Sequence, residues 1–346
     1  MDLKRTCATS HDDVTRAPVD RGRIRNKSEA KQRPLEGMDN NAMTQHRNNE
    51  IDGRDVAFAT PPHLDHVFLT VGAEALKLIN ECEFLRGEQF SRFATRSSES
   101  SLLSSYTATR AYGKNTVVEI FQDRFGGNDT FNEYCAGIVL SFDHPGEMKG
   151  AHRALRSAGV PFSSEIVERV TPGADGGRDR SPWYEFTRPE LGGISPVALF
   201  LHEMQPGFLA EIGAKVGPGG RQDRSERFNA ALGRLHTADH LMEDIALVTV
   251  RLRPGRIERV AAILSTLGYE VSAVESGIRV RGIDAEFIFL ADESSREGTV
   301  ELKIKMARPV PGRRFDFGSE SFLVLSPAGP DDCSASWTFL PHRKAL

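Results

Sequence analysis

The sequence has few cysteines, no long apolar run and little net charge. Its four cysteines, among 346 residues, stand far apart without the paired spacing of zinc fingers or redox motifs. No apolar stretch reaches the roughly 20 residues of a membrane-spanning helix, and the N-terminus lacks the apolar segment of a secretory signal. A formal net charge of −4 provides no overall basic field. We therefore expect a cytoplasmic protein with free thiols that binds neither membranes nor nucleic acid.

Several common catalytic and cofactor motifs are also missing. The sequence contains no GxGxxG, no phosphate-binding GxxxxGK and no HExxH. Its serine clusters have no nucleophile elbow around them, so they do not indicate a serine hydrolase. Any site must therefore be sought in residues that the fold brings together.

Residues 1–60 differ in composition from the rest of the chain. They are rich in arginine, asparagine and aspartate and poor in periodic apolar residues. Such a segment cannot bury enough surface to offset its ordering entropy, so it predicts a disordered, basic and polar tail. Met38 and Met43 lie within this tail, and translation starting at one of them is a further hypothesis.

An internal repeat predicts the fold. The segment GIVLSFDHPGEMKGAHRALRSAGVPF (137–162) aligns without a gap to ALVTVRLRPGRIERVAAILSTLGYEV (246–271), and a Pro-Gly pair falls at the same position in both. Proline at a helix start and glycine just past its end match helix-capping preferences. The repeat predicts an α+β fold of duplicated βαβββ modules that form curled, mostly antiparallel sheets around a cleft.

The organisation of the chain follows from this repeat. We expect paired modules over 61–212, a helical connector over 213–243, and a further βαβββ module with C-terminal strands over 244–346. In that last module the segments GIRVRG, AEFIFLAD and GTVELKIKMA are predicted to be the three strands after the helix.

Two strands each place a polar residue among apolar ones: His66 in LDHVFLTV and Glu119 in NTVVEIF. With Glu203 from LHEM they would form a His/Glu/Glu set that suits a divalent metal such as Zn, Mn, Ni or Fe. Glu119 and Glu203 are then also the candidate catalytic residues. Gln205 would share the face of Glu203, whereas the neighbouring His202 would face away, and both are further candidate ligands.

A second interpretation of the same residues stays open. His66 follows Asp65 at the start of a strand, and without the context of a family this position favours a surface histidine. Glu119 could lie on the solvent-facing side of an antiparallel strand. The alternation of Glu301, Lys303 and Lys305 indicates such a solvent-facing side for another strand.

The order LDHVFLTV … YTATRAYGKNTVVEIFQD … AGIVLSFDHPGEM … LFLHEMQPGFL … SASWTFLP resembles glyoxalase-like proteins of the vicinal-oxygen-chelate superfamily, over roughly 64–339. That superfamily includes glyoxalase I, bleomycin-resistance proteins and extradiol dioxygenases. The resemblance implies metal ligands on the first and last strands of each module, which correspond to His66, Glu119 and Glu203. One strand departs from the pattern, because its inward residue would be Ala136 or Gly137.

Two functions follow from the resemblance. One is a small-molecule enzyme of isomerase, lyase or epimerase type that uses a divalent metal to chelate vicinal oxygens, or a dioxygenase if the metal is iron. The other is a metal-free binding or resistance protein with the same cleft. The expected partner is a small molecule in both cases, and the chain is expected to be a monomer or a homodimer.

Overall fold

The computed structural model describes residues 60–87, 89–103, 105–122, 133–173, 176–293, 296–326 and 333–340. The predicted tail, with both candidate start methionines, lies outside these residues apart from Thr60. In the described part of the chain, none of the helices combines the length and the apolar character that a membrane span requires.

The first half of the described chain consists of two βαβββ modules. The first contains β1 (His63–Val71), α1 (Ala73–Glu81), α2 (Glu83–Arg86), β2 (Arg92–Ser98), β3 (Tyr106–Tyr112) and β4 (Val117–Gln122). The second contains β5 (Ala136–Phe142), α3 (Glu147–Ser157), β6 (Phe162–Pro172), β7 (Arg178–Pro189) and β8 (Val197–Met204).

These eight strands form one sheet in the order β2-β3-β4-β1-β5-β8-β7-β6. The first strands of the two modules, β1 and β5, pair antiparallel at the centre. Each is also parallel to the last strand of its own module, β4 or β8, and the outer strands are antiparallel. The predicted α+β fold of duplicated modules, with curled and mostly antiparallel sheets, is confirmed.

Two helices connect this sheet to the next: α4 (Pro206–Glu211) and α5 (Arg224–Leu232). The side chain of Asp223 caps the start of α5 by accepting a hydrogen bond from the backbone N–H of Glu226 at 3.1 Å. Gly233 ends the helix in the left-handed conformation, with φ of 67°. Local sequence therefore determines both ends of α5.

The second half of the described chain contains β9 (Met242–Leu252), α6 (Pro254–Thr266), β10 (Glu270–Val274), β11 (Gly277–Arg281), β12 (Glu286–Ala291), β13 (Gly298–Met306), β14 (Arg313–Phe317), β15 (Ser321–Leu325) and β16 (Ser334–Phe339). Its strands form a second sheet in the order β10-β11-β12-β9-β13-β16-β15-β14, which repeats the strand order of the first. One pairing differs, because β13 and β16 are antiparallel whereas the corresponding strands β5 and β8 are parallel.

One part of the predicted organisation is wrong. The segment GTVELKIKMA was expected to end the third module, but its strand β13 pairs antiparallel with β9 and begins a fourth module. Residues 307–312, all of them described, link β13 to β14 without the helix that the other modules have. The strand Glu270–Val274 completes the third module instead.

The helices cover one face of the first sheet and leave the opposite face to other residues. Helices α1, α3 and α6 pack with apolar residues of both sheets in one hydrophobic core, which includes Val67, Leu69 and Trp337. A second apolar cluster, with Phe68, Phe121, Tyr184 and Phe200 among its members, lies on the opposite face of the first sheet. Strand alternation sends neighbours such as Val67 and Phe68 to these opposite faces.

Candidate functional site

A cavity of about 250 Å³ lies on the face of the first sheet that is opposite its helices. Most of its wall is aromatic or aliphatic, including Phe68, Tyr106, Phe121, Trp183 and Phe200. Charged and polar side chains gather on another part of the wall, which we call the polar end: Asp65, His66, Arg110, Glu119, His202 and Arg227.

The register and pairing of the strands place most residues of the polar end on the cavity wall. On β1 the pairing with β5 shifts register between Leu64 and His66, and a bulge of this kind lets the consecutive residues Asp65 and His66 both line the cavity. On β3 and β4, Arg110 stands opposite Glu119 in the ladder. Arg227 comes from α5, which therefore forms part of the cavity wall.

Asp65 orients the ring of His66. The Nδ1 atom of His66 lies 2.7 Å from Oδ1 of Asp65. Burial would raise the pKa of Asp65, but the guanidinium of Arg227 and the hydrogen bond with His66 hold that pKa well below its usual range. A carboxylate can only accept, so Nδ1 of His66 donates. The other ring nitrogen, Nε2, is left facing Oε2 of Glu119 at 3.6 Å.

Glu119 is held from its other side by Arg110. Nε of Arg110 donates to Oε1 of Glu119 at 2.6 Å, and Nη2 forms an ion pair with the same oxygen. Both side chains are only 12% exposed. Burial would lower the pKa of Arg110, but the charge of Glu119 raises it, so the guanidinium stays charged. Only Oε2 of Glu119 is left for other partners at the polar end.

His202 is the third ring of this group. It stacks on Tyr184 with ring centroids 4.3 Å apart, and its centroid is 5.7 Å from that of His66. Burial, followed by the charge of His66, lowers the pKa of His202 to about 3, so the ring is neutral at ordinary pH. Its Nδ1 atom is buried and finds no hydrogen-bond partner among the described residues.

The structure brings together some of the predicted ligands and separates the others. His66 and Glu119 both line the cavity, as does His202, which had been expected to face away. Glu203 instead accepts hydrogen bonds at 2.7 Å from the backbone N–H groups of Gly146 and Met148, where α3 begins.

The prediction that Glu203 faces the cleft is therefore wrong. On β8 the residues Phe200, His202 and Met204 line the cavity, so alternation turns Leu201 and Glu203 toward the helices. Gln205 precedes α4 as its N-cap residue and does not line the cavity.

On β5 the residue level with His66 is Val139, which lines the cavity and offers no ligand atom. Gly137, one of the two residues expected to face inward, lies beneath the ring of Phe68. Arg110 and Arg227 were missed. The alternation of Tyr106, Arg110 and Tyr112 along β3 was a readable signal for Arg110, whereas no sequence pattern pointed to Arg227.

Gly137→Ala is expected to destabilise the fold by about 1–3 kcal/mol through overpacking. A Cβ atom at this position would lie 2.3 Å from two carbons of the Phe68 ring, so the ring must move toward the cavity. Urea denaturation measures the change. The matched control is Gly255→Ala in α6, where a Cβ meets nothing within 4 Å and alanine favours the helix. Equal stabilities for the two variants would contradict the packing of Phe68.

The predicted ligand set does not fit a metal ion, because Glu203 lies on the other face of the sheet from His66 and Glu119. Among the described residues, no three His, Cys, Asp or Glu side chains are placed to hold one ion together. His66 and Glu119 offer two donor atoms, and one of these two side chains is already paired with Arg110.

Solved structures similar to the chain include several enzymes. A hypothetical protein from Staphylococcus aureus is 10% identical, with 73% of this chain and 95% of that chain covered and a TM-score of 0.47. The 2,2',3-trihydroxybiphenyl 1,2-dioxygenase from Sphingomonas wittichii is 9% identical, with 83% and 94% covered and a TM-score of 0.39. A Mn(II)-bound glyoxalase from Novosphingobium aromaticivorans is 14% identical, with 67% and 62% covered and a TM-score of 0.36.

No curated protein matches the chain. One family model does, and its match covers residues 64–339, which include the described strands of both sheets, apart from His63 at the start of β1, and the described cavity wall. The chain therefore belongs to the family of unknown function DUF5829.

Proposed function

We propose that the chain binds a small aromatic molecule that carries an oxygen group, and that it does so without a metal ion. The observation that carries this proposal is the cavity itself, which joins a largely aromatic wall to a compact polar end. Binding sites for small molecules typically combine an apolar lining with a few polar groups that fix the orientation of the ligand.

The size of the cavity limits the ligand. A cavity of about 150 Å³ is enough to hold benzene, so about 250 Å³ leaves room for roughly two fused rings. The rings of Phe68 and Phe200 stack with centroids 5.6 Å apart, and Phe186 meets Phe200 edge-on. Such walls favour a flat aromatic body, which can stack or approach edge-to-face.

Charge at the cavity favours an oxygen group on the ligand. Three arginines line the cavity, Arg96, Arg110 and Arg227, against the two carboxylates Asp65 and Glu119. The Glu119 contact does not use every N–H of the Arg110 guanidinium, because this group has five donors. A phenolate or carboxylate oxygen at the polar end would therefore accept from Arg110 and lie near Nε2 of His66.

A second candidate function retains the metal and the isomerase, lyase or epimerase chemistry predicted from the sequence. It is favoured by the 3.6 Å approach of His66 Nε2 to Glu119 Oε2 and by the carboxylate of Asp65 behind His66. Histidines that bind metals usually have such a partner. The buried Nδ1 of His202 could supply a third donor if the ring turned. A bound divalent ion would act there as a Lewis acid.

Binding can be followed through Trp183, since it lines the cavity and the other of the two tryptophans, Trp337, is buried in the core that both sheets share. We expect 2-naphthoate and 2-naphthol to quench the fluorescence of Trp183 at lower concentrations than naphthalene does. Ala231→Phe, in α5 and on the cavity wall, should weaken the binding of all three at least about tenfold, because the larger side chain takes up space in the cavity.

The control is Ala210→Phe, an exposed residue of α4 that does not line the cavity and should leave the affinities unchanged. The quenching change should also disappear in Trp183→Phe. Equal affinities for the three ligands would contradict the role of the polar end. A requirement for added Mn(II) or Zn(II) would support the second candidate function in place of the first.

A further inference from the structure

We infer that Arg110 is the resident cation of the polar end and keeps divalent metal ions away from His66 and Glu119. This inference rests on the proposed metal-free function and assigns one residue as its cause. Without Arg110, the polar end is expected to bind a divalent ion.

Arg110 already occupies one oxygen of the Glu119 carboxylate. Two nitrogens of Arg110 contact the same carboxylate oxygen, Oε1, and both side chains are mostly buried. An Arg–carboxylate contact made by two nitrogens is geometrically specific and strong. A metal on Oε2 would lie on a carboxylate whose charge a guanidinium already balances.

The carboxylates of the polar end carry no uncompensated negative charge. Among the residues that the structure describes, the other carboxylate on the cavity wall is that of Asp65, which is paired with Arg227 and hydrogen-bonded to His66. A dication needs ligands that bring net negative charge or several neutral donors. The polar end offers no net negative charge, because each of its carboxylates already has an arginine as counter-ion, and its imidazole rings among the described residues are only those of His66 and His202.

Removing Arg110 would leave two potential metal ligands close together. His66 Nε2 and Glu119 Oε2 stay within 3.6 Å of each other, and Asp65 still holds the ring of His66. Glu119 would then be a buried carboxylate without a counter-ion. Such a group is unfavourable on its own, and a divalent ion held by His66 and Glu119 would compensate its charge.

The test is calorimetric titration of the metal-free full chain with Mn(II) and with Zn(II). Arg110→Met keeps much of the apolar stem and removes the charge. We expect it to bind about one ion per chain at least tenfold more tightly than the wild-type protein does. Arg110→Met combined with Glu119→Gln, or with His66→Ala, should lose this gain. Arg96→Met is the control, since Arg96 lines the cavity but bonds to the carbonyl of Ala231 and not to a carboxylate.

Several outcomes would overturn the inference. One is tight binding of a metal by the wild-type protein that His66→Ala abolishes. Another is a folded Arg110→Met variant with no gain, and a third is an equal gain in Arg96→Met. If Arg110→Met does not fold, Arg110→Gln takes its place with the same expected results. Failure of the proposed function is seen separately, as the absence of Trp183 quenching by aromatic ligands in the wild-type protein.

Discussion

Replacing Arg227 with methionine is expected to lower the free energy of unfolding by about 3–5 kcal/mol, because it leaves Asp65 as a buried charge without its counter-ion. Arg227 and Asp65 form an ion pair in which both side chains are only 4% exposed. The pKa of Asp65 lies below its usual range despite burial, which shows how strongly its surroundings stabilise the charged form.

Urea denaturation measures this loss, and a double-mutant cycle assigns it to the pair. Asp65→Asn removes the charge that Arg227 compensates, so the double variant should be less destabilised than the sum of the two single variants. Arg221→Met is the matched control in the same connector. Arg221 is 60% exposed and lies 3.6 Å from Asp143, which keeps His63 and Arg224 as neighbours when Arg221 is removed, so we expect a loss of at most about 1 kcal/mol, as for other pairs with a solvent-exposed partner. Additive single effects would contradict a direct coupling of Arg227 and Asp65.

Glu203→Ala is expected to destabilise the fold by about 2–4 kcal/mol while leaving the affinity of the cavity for its ligand unchanged. Its carboxylate accepts from the backbone N–H groups of Gly146 and Met148 at the start of α3. Bonds to a charged acceptor are stronger than neutral ones, and their loss leaves two helix N–H groups without a partner.

Two measurements together distinguish this structural role from the metal ligand that the sequence predicted. Urea denaturation gives the stability, and the quenching of Trp183 gives the affinity. Glu147→Ala is the control on the same helix, because its carboxylate accepts one bond at 2.9 Å in an exposed setting and should matter far less. A stable Glu203→Ala variant with a defective cavity would contradict the assignment of Glu203 to α3.

The fold was predictable because its signal is repeated. The sequence carries two gapless copies of strand and helix whose strands, β5 and β9, lie at the centres of the two sheets, and the Pro-Gly pair fixes their alignment. The fourth module was missed for the opposite reason. It has no helix between β13 and β14, so its first strand looked like a continuation of the preceding module.

The site was predictable only in part. The sequence shows that the side chains of a strand alternate between two faces, but it does not show which of the two alternating sets faces the cavity. His66 and Glu119 were found since each interrupts an apolar run. His202 and Glu203 are adjacent polar residues on β8, and the choice between them was inverted. That choice depends on the pairing of β8 with β5 and β7, which no local pattern records.

The position of α5 in the chain decides when the cavity can exist during synthesis. All the strands that line the cavity lie before residue 205, whereas Arg227, Phe228 and Ala231 come later and supply part of its wall. A nascent chain that stops at residue 212 would hold every metal ligand predicted from the sequence, yet its Asp65 would lack Arg227. The complete site therefore requires the connecting segment that follows the first two modules. Without that segment, the two modules are expected to expose an aromatic surface to water.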